Sequence, residues 1–269
     1  MAVLAFVGCG GGGDAESTTS DASSDAAAAP DVQIEVGERS PGFEGAQARF
    51  MAPTDESVVD SASVDVTVAV ENYELGVPTD TERAQRIANS SGGQHVHIIV
   101  DNNPYFANYE ADTPFPIGEL APGAHTAVVF PSRSYHESVK SADAYDIVNF
   151  YVEEETGDFP LHPDDPAIIY SRPKGTYSGA GAERIMLDFY LHNVELSDDG
   201  YRAKYEIREK GSSEVLASVT MTEWTPAFVT GLTSGTYIFH LQLLDAEGNV
   251  VPGLFNDTER EVVVEAPAA

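Results

Sequence analysis

The sequence predicts an all-β protein: two immunoglobulin-like β-sandwich domains in tandem behind a disordered, acidic N-terminal tether. Three observations carry this reading. Short stretches alternate apolar and polar residues with a period of two, the mark of a strand with one buried face. The alternating pattern occurs twice, in matched halves of the chain. The first thirty residues lack the apolar content to form a core.

The strand signal is clearest at Val64, Val66, Val68 and Val70, which alternate with Asp65, Thr67, Ala69 and Glu71. Ile185, Leu187, Phe189 and Leu191 alternate in the same way, each 121 residues after its counterpart. Both runs end in similar tetrapeptides, Asn72-Tyr-Glu-Leu75 and Asn193-Val-Glu-Leu196. A second match follows in the same order. Leu120-Ala-Pro-Gly123 opens a strand over residues 126–130, and Leu232-Thr-Ser-Gly235 opens one over residues 238–244. In each, the leucine is expected to pack inward and the glycine to form the turn. Further strands are expected over 96–100, 147–153, 202–207, 215–221 and 261–265. Turn signals separate them, among them Asp101-Asn-Asn-Pro104 and Glu247-Gly-Asn249. Many short strands with almost no helical periodicity argue for sandwiches. The one helical candidate covers residues 79–88, with Thr79 as its cap.

These signals divide the chain into a truncated lipoprotein signal (1–9), a disordered tether (10–30), a first sandwich (31–158), a linker rich in Pro, Gly, Asp and Ser (159–182) and a second sandwich (183–269). The short apolar start, a small residue, then Cys9 and four glycines resemble the end of a bacterial lipoprotein signal peptide. Phe6 stands where leucine is usual and no basic segment precedes it, so the true start is expected upstream. Lipidation at Cys9 would anchor the chain to a bacterial membrane, periplasmic or surface-facing, with no other membrane contact. Cys9 is the single cysteine, which excludes an intramolecular disulfide.

The charge excludes some partners. The 269 residues hold 44 acidic and 14 basic side chains, a net charge of −30. Such a surface repels nucleic acid and anionic headgroups. Its lysines are only Lys140, Lys174, Lys204 and Lys210. Acidity spread over a lysine-poor chain predicts adaptation to high salt, where repulsion is screened. A role in binding cationic ligands is the alternative.

Two clusters could carry chemistry. In Gln94-His95-Val-His97 the imidazoles project from one face of a strand, roughly 6.5–7 Å apart along the chain. Pairs so placed can share Zn²⁺ or Cu²⁺. His125 and His136 would join them if their strands are neighbours. Histidines on strand faces also serve as surface or hydrogen-bonded structural residues. The second copy has Tyr237 where the first has His125, so these histidines belong to what the first copy does differently. The other cluster sets Arg133 and Lys140 around His136 as a candidate anion pocket. Pairing of both cations with nearby carboxylates is the alternative. No nucleophile elbow, phosphate loop, His-Glu-x-x-His or calcium loop occurs, so no enzyme is expected.

Five segments resemble those of a family of uncharacterised secreted lipoproteins from Bacteroidetes-like bacteria: residues 72–76, 94–102, 132–140, 170–175 and 187–191. The resemblance spans about residues 50–260. It implies a secreted lipoprotein and supplies no mechanism. Some members are labelled phosphopeptide-binding, which would need an arginine cluster. Only Arg133 with Lys140, or Arg172 with Lys174, offers one. The sequence as a whole predicts a non-enzymatic module binding an unknown protein or small ligand, with metal or anion binding as alternatives.

Overall fold

A computed structural model describes residues 31–266. The expected signal, Cys9 and the tether lie outside the described residues, as do residues 267–269. The described chain is all-β, with seventeen strands in four sheets. They run β1 (Gln33–Val36), β2 (Gln47–Ala52), β3 (Ser57–Val59), β4 (Ser63–Glu71), β5 (His95–Val100), β6 (Phe106–Asn108), β7 (Phe115–Glu119), β8 (Gly123–Ser132) and β9 (Asp146–Val152). There follow β10 (Ala167–Arg172), β11 (Gly175–Ser178), β12 (Ile185–His192), β13 (Arg202–Glu209), β14 (Val215–Met221), β15 (Ala227–Thr230), β16 (Gly235–Leu244) and β17 (Asp257–Glu265).

The first sandwich pairs sheet β2-β4-β7 with sheet β3-β9-β8-β5-β6. The second pairs β10-β12-β15 with β11-β17-β16-β13-β14. Each strand of the first has its counterpart eight places later, in the same order. Even the parallel pairs match, β3 on β9 and β11 on β17. The pairing of β2 with β4 shifts register between Phe50 and Ala52, and that of β10 with β12 shifts between Tyr170 and Arg172. The two Asn residues that end the matched strands, Asn72 and Asn193, both take left-handed φ, at 53° and 50°. Asparagine tolerates that region better than most residues.

The period-two pattern places one face of each matched strand in a core. Val64, Val66 and Val68 fill the first core with Val96, Ile98, Val129 and Phe150. Ile185, Leu187 and Phe189 fill the second with Tyr205, Phe239 and Leu241. A third cluster lies between the sandwiches: Ile99, Val128 and Phe130 from β5 and β8 meet Ala167, Ile169 and Tyr190 from β10 and β12. Phe130 and Tyr190 stack at 4.7 Å between centroids. The alternation in β12 predicts one solvated face; both faces are buried because the first sandwich covers the second.

Three expectations are corrected. Residues 159–182 are not a mere connection: they contain β10, every residue of which is buried, and β11. The Pro and Gly content reflects the bend between these strands, where Gly175 has φ 72°. β1 falls within the residues expected for the first sandwich but pairs antiparallel with β15 of the second. It covers an edge that would otherwise present free backbone groups. The helix expected over residues 79–88 is a single 3₁₀ turn, Glu82–Gln85. Thr79 does not cap it, since its hydroxyl donates to Gln94 Oε1 at 3.0 Å and accepts from the Ser134 amide at 3.0 Å.

A buried ion pair also joins the sandwiches. Lys140, from the β8–β9 connection, binds Asp188 of β12, and their side chains are 2% and 0% exposed. Asp188 further accepts the Ser138 amide at 3.1 Å. Breaking such a pair from one side leaves a buried charge alone. Asp188→Ala is expected to lower unfolding free energy by about 3–5 kcal/mol in urea titrations. Lys140→Met combined with Asp188→Leu is expected to cost less than that single change. A double variant worse than Asp188→Ala would contradict this account.

Candidate metal centre

Strand β5 alternates its side chains between two environments. Val96 and Ile98 enter the first core, so His95, His97 and Ile99 face the second sandwich. His95 and His97 are fully buried, at 0% exposure. The third imidazole arrives from the turn after β8. There the His136 amide donates to Arg133 O at 2.7 Å and His136 takes φ 69°. That left-handed conformation is uncommon for a residue with a side chain. It turns His136 back over the face that carries His95.

The three rings converge. His95 Nε2 lies 3.0 Å from His97 Nε2 and 3.2 Å from His136 Nδ1. One nitrogen from each residue lies within 4.8 Å of the others. Zinc–imidazole bonds of about 2.0–2.1 Å in a tetrahedron put the nitrogens about 3.3–3.4 Å apart. The two shortest separations are near that edge length. The outer nitrogens are tied down. His95 Nδ1 is 2.8 Å from Gly93 O, which can only accept, so Nδ1 carries the proton and Nε2 turns its lone pair inward. His97 Nδ1 bonds Ser171 Oγ of β10 at 3.1 Å. Such outer bonds orient the imidazoles of metal sites.

Burial keeps the rings neutral. It pushes the His95 pKa down to about 4; the Gly93 bond opposes this, and Arg172 and Lys174 reinforce it. His97 is lowered well below the ordinary value, first by burial, then by the neighbouring histidines and the same two cations. His136 is lowered by burial, then by Arg172, His95 and Lys174. Neutral imidazole is the ligating form. Two nitrogens, His97 Nε2 and His136 Nδ1, face the single His95 Nε2 lone pair, whereas one cation can take a lone pair from all three rings.

Aromatic and cationic groups surround the cluster. Tyr105 stacks on His97 at 3.6 Å between centroids with planes 14° apart. Its hydroxyl lies 3.4 Å from His136 Nδ1. Lys174 sits over the other face of this stack, 3.7 Å from the Tyr105 centroid, and donates to Tyr105 O at 2.6 Å. Burial, then Arg172, brings the Lys174 pKa down to about 8.

His125 is not part of the cluster. It sits near the opposite end of β8, where Nδ1 bonds Asp101 Oδ2 at 2.5 Å and Nε2 bonds Ala121 O at 2.7 Å. Both ring nitrogens are occupied. Arg133 and Lys140 line one open cavity together with Glu137, but each already has partners within the protein. Arg133 donates to the Ser138 and Pro41 carbonyls and stacks on Phe43. Lys140 is held by Asp188. Sequence reasoning did not assign Ser171 to the site. It lies 74 residues from His97, and only the docking of β10 brings it there.

No family model matches the chain, and no curated protein matches it. Solved structures match distantly. Fibronectin(III)-like modules of Clostridium thermocellum CbhA share 11% identity over 82% of this chain and 95% of theirs, at a TM-score of 0.28. The mixed-linkage glucan utilization locus protein SGBP-B of Bacteroides ovatus shares 11% identity over 81% of this chain and 47% of its own, at 0.22. Latent PorU of Porphyromonas gingivalis shares 14% identity over 89% of this chain and 20% of its own, at 0.26. At such distances the fold rests on the strand order above, and nothing about activity follows.

The isolation of His125 has a measurable consequence. Its hydrogen bond to Asp101 raises its pKa, with partial burial opposing and the Ala121 bond assisting. A raised folded pKa contributes stability that is full below the unfolded value of about 6.5 and is lost as pH rises through the folded value. The stability gap between wild type and His125→Gln, from urea unfolding, is expected to be widest near pH 6 and to narrow toward pH 9. A gap independent of pH would contradict the charged pair.

Proposed function

We propose that this chain is a lipid-anchored protein of the bacterial cell envelope whose folded part binds one transition-metal ion, zinc or copper. The ligands are His95 Nε2, His97 Nε2 and His136 Nδ1. The observation that carries the reading is their convergence within 4.8 Å in a buried setting. Imidazole nitrogen suits both metals. Support also comes from the bonds of Gly93 O to His95 and of Ser171 to His97, which leave the inner nitrogens free for an ion.

The role is binding rather than catalysis. Immunoglobulin-like sandwiches are typical of binding or accessory domains, and the metal would sit between two of them. The ion would link the β5 face and the turn carrying His136, and through Ser171 it would reach β10. Binding would therefore stiffen the junction. The anchor at Cys9 would hold this unit at a membrane. Replacing Cys9 with serine in the native cell is expected to move the protein from the membrane fraction to the soluble one; unchanged fractionation would remove the anchor from the proposal.

Metal binding is tested by calorimetric titration of purified protein with Zn²⁺ and Cu²⁺. One ion per chain is expected, with a rise in Tm that grows with metal concentration. At one hundred times Kd the expected stabilisation is about 2.7 kcal/mol. His97→Ala and His136→Ala are each expected to weaken binding at least tenfold, while His125→Ala binds as wild type does. Equal loss in all three, or no stoichiometric binding to the folded wild type, would overturn the assignment.

A further inference from the structure

This inference rests on the metal assignment above and deepens it. We propose that the three-histidine centre selects a monovalent soft ion, Cu⁺, over the divalent ions.

The first argument is the charge of the ligands. His95, His97 and His136 supply neutral nitrogens, and no carboxylate or thiolate belongs to the cluster. A bound ion therefore keeps its full formal charge inside the protein. Moving an ion out of water costs free energy that grows with the square of its charge, so a monocation bears about a quarter of the cost of a dication of equal size.

The second argument is the field around the site. Arg172 is 8% exposed, and its guanidinium carbon stands 5.5 Å from the Tyr105 ring centroid. Lys174 Nζ stands 3.7 Å from the same centroid, and Tyr105 in turn stacks on His97. Among the described residues, no carboxylate lies within ion-pair distance of Arg172 or Lys174. Asp188, in register with Arg172 across β10 and β12, is held by Lys140 instead. Burial first, with these two cations among the lesser causes, keeps the three rings unprotonated. The same field opposes any bound cation, and opposes a double charge twice as strongly as a single one.

The third argument is closure. Zinc bound by three histidines ordinarily keeps a fourth position for water or substrate. Here His95 and His97 are wholly buried, and aromatic rings pack around them. Tyr105 covers His97, Phe130 lies 5.5 Å from His97, and Tyr109 lies 4.9 Å from His95. The cavity that His136 borders has about 10 Å³ of free volume. Monovalent copper is satisfied by three nitrogens and needs no further donor, and imidazole suits copper.

The test uses full-length protein carrying Cys9→Ser, which removes a competing thiol, in nitrate buffer. Ag⁺ stands in for Cu⁺ because it is monovalent and keeps its oxidation state; Cu⁺ supplied anaerobically repeats the measurement. Protein loaded with one Zn²⁺ is titrated with Ag⁺, and freed zinc is read with a chromogenic indicator. One equivalent of Ag⁺ is expected to release the zinc. Adding Lys174→Met is expected to raise Ag⁺ affinity at least about threefold and Zn²⁺ affinity by the square of that factor, at least about tenfold. Zinc retained against Ag⁺, equal gains for the two ions, or no gain for either would overturn the monovalent preference while leaving the metal site standing. Silver binding unchanged by His97→Ala would place Ag⁺ elsewhere and also overturn the preference. Failure of both ions to bind the protein with its histidines intact would overturn the metal site as well. Should Lys174→Met not fold, Arg172→Met is read by the same rule.

Discussion

The structure depends on one constraint: the outer face of β5 and β8 is buried against β10 and β12. An isolated sandwich solvates the outer faces of its sheets. Here Ile99, Val128 and Phe130 leave water to meet Ile169 and Tyr190. Most polar groups on that face then find partners within the protein, although the buried Ser132 hydroxyl has none. Asp188 finds Lys140, Tyr190 finds Ser141 O, and His97 finds Ser171. The histidine cluster arises under the same constraint, because imidazoles removed from water are held neutral and pressed together.

The second sandwich, with the same strand order, shows what docking does to one strand face. Strand register pairs His95, His97 and Ile99 with Ser132, Phe130 and Val128 of β8. The corresponding positions of β13 are Arg202, Lys204 and Glu206, paired with Leu244, Gln242 and His240 of β16. Those three are half-buried and hold surface partners, such as the Lys204–Glu206 pair. One face of the same strand is thus charged where it meets water and carries histidine and isoleucine where it meets the other domain. The chemistry of the first copy follows from its position in the tandem.

Much of the fold was legible because alternation and repeat spacing are local or periodic signals. Strands β4 and β12 and their shared Asn ends stand out in the sequence. The double burial was signalled more faintly. The 96–100 and 127–130 segments are nearly continuous apolar runs, a pattern of strands covered on both sides. β1 and β10 were not recognised as parts of the second sandwich. β1 pairs with β15 across nearly two hundred residues, and β10 lies in a stretch whose Pro and Gly obscure it. In the site, His95 and His97 could be paired from their spacing alone. His136 and His125 could not be ranked, because their place depends on which end of β8 each occupies and on the left-handed turn at His136. At Arg133 and Lys140, sequence proximity of charges does not reveal Asp188 arriving from the other domain to hold Lys140.

X-ray absorption on the protein loaded with one zinc ion tests the central claim most directly. The account predicts a first shell with three nitrogens at about 2.0–2.1 Å and the outer-shell scattering of three imidazoles. A first shell dominated by oxygen, with scattering from fewer than two imidazoles, would place the ion on the acidic surface and contradict a centre built at the domain junction.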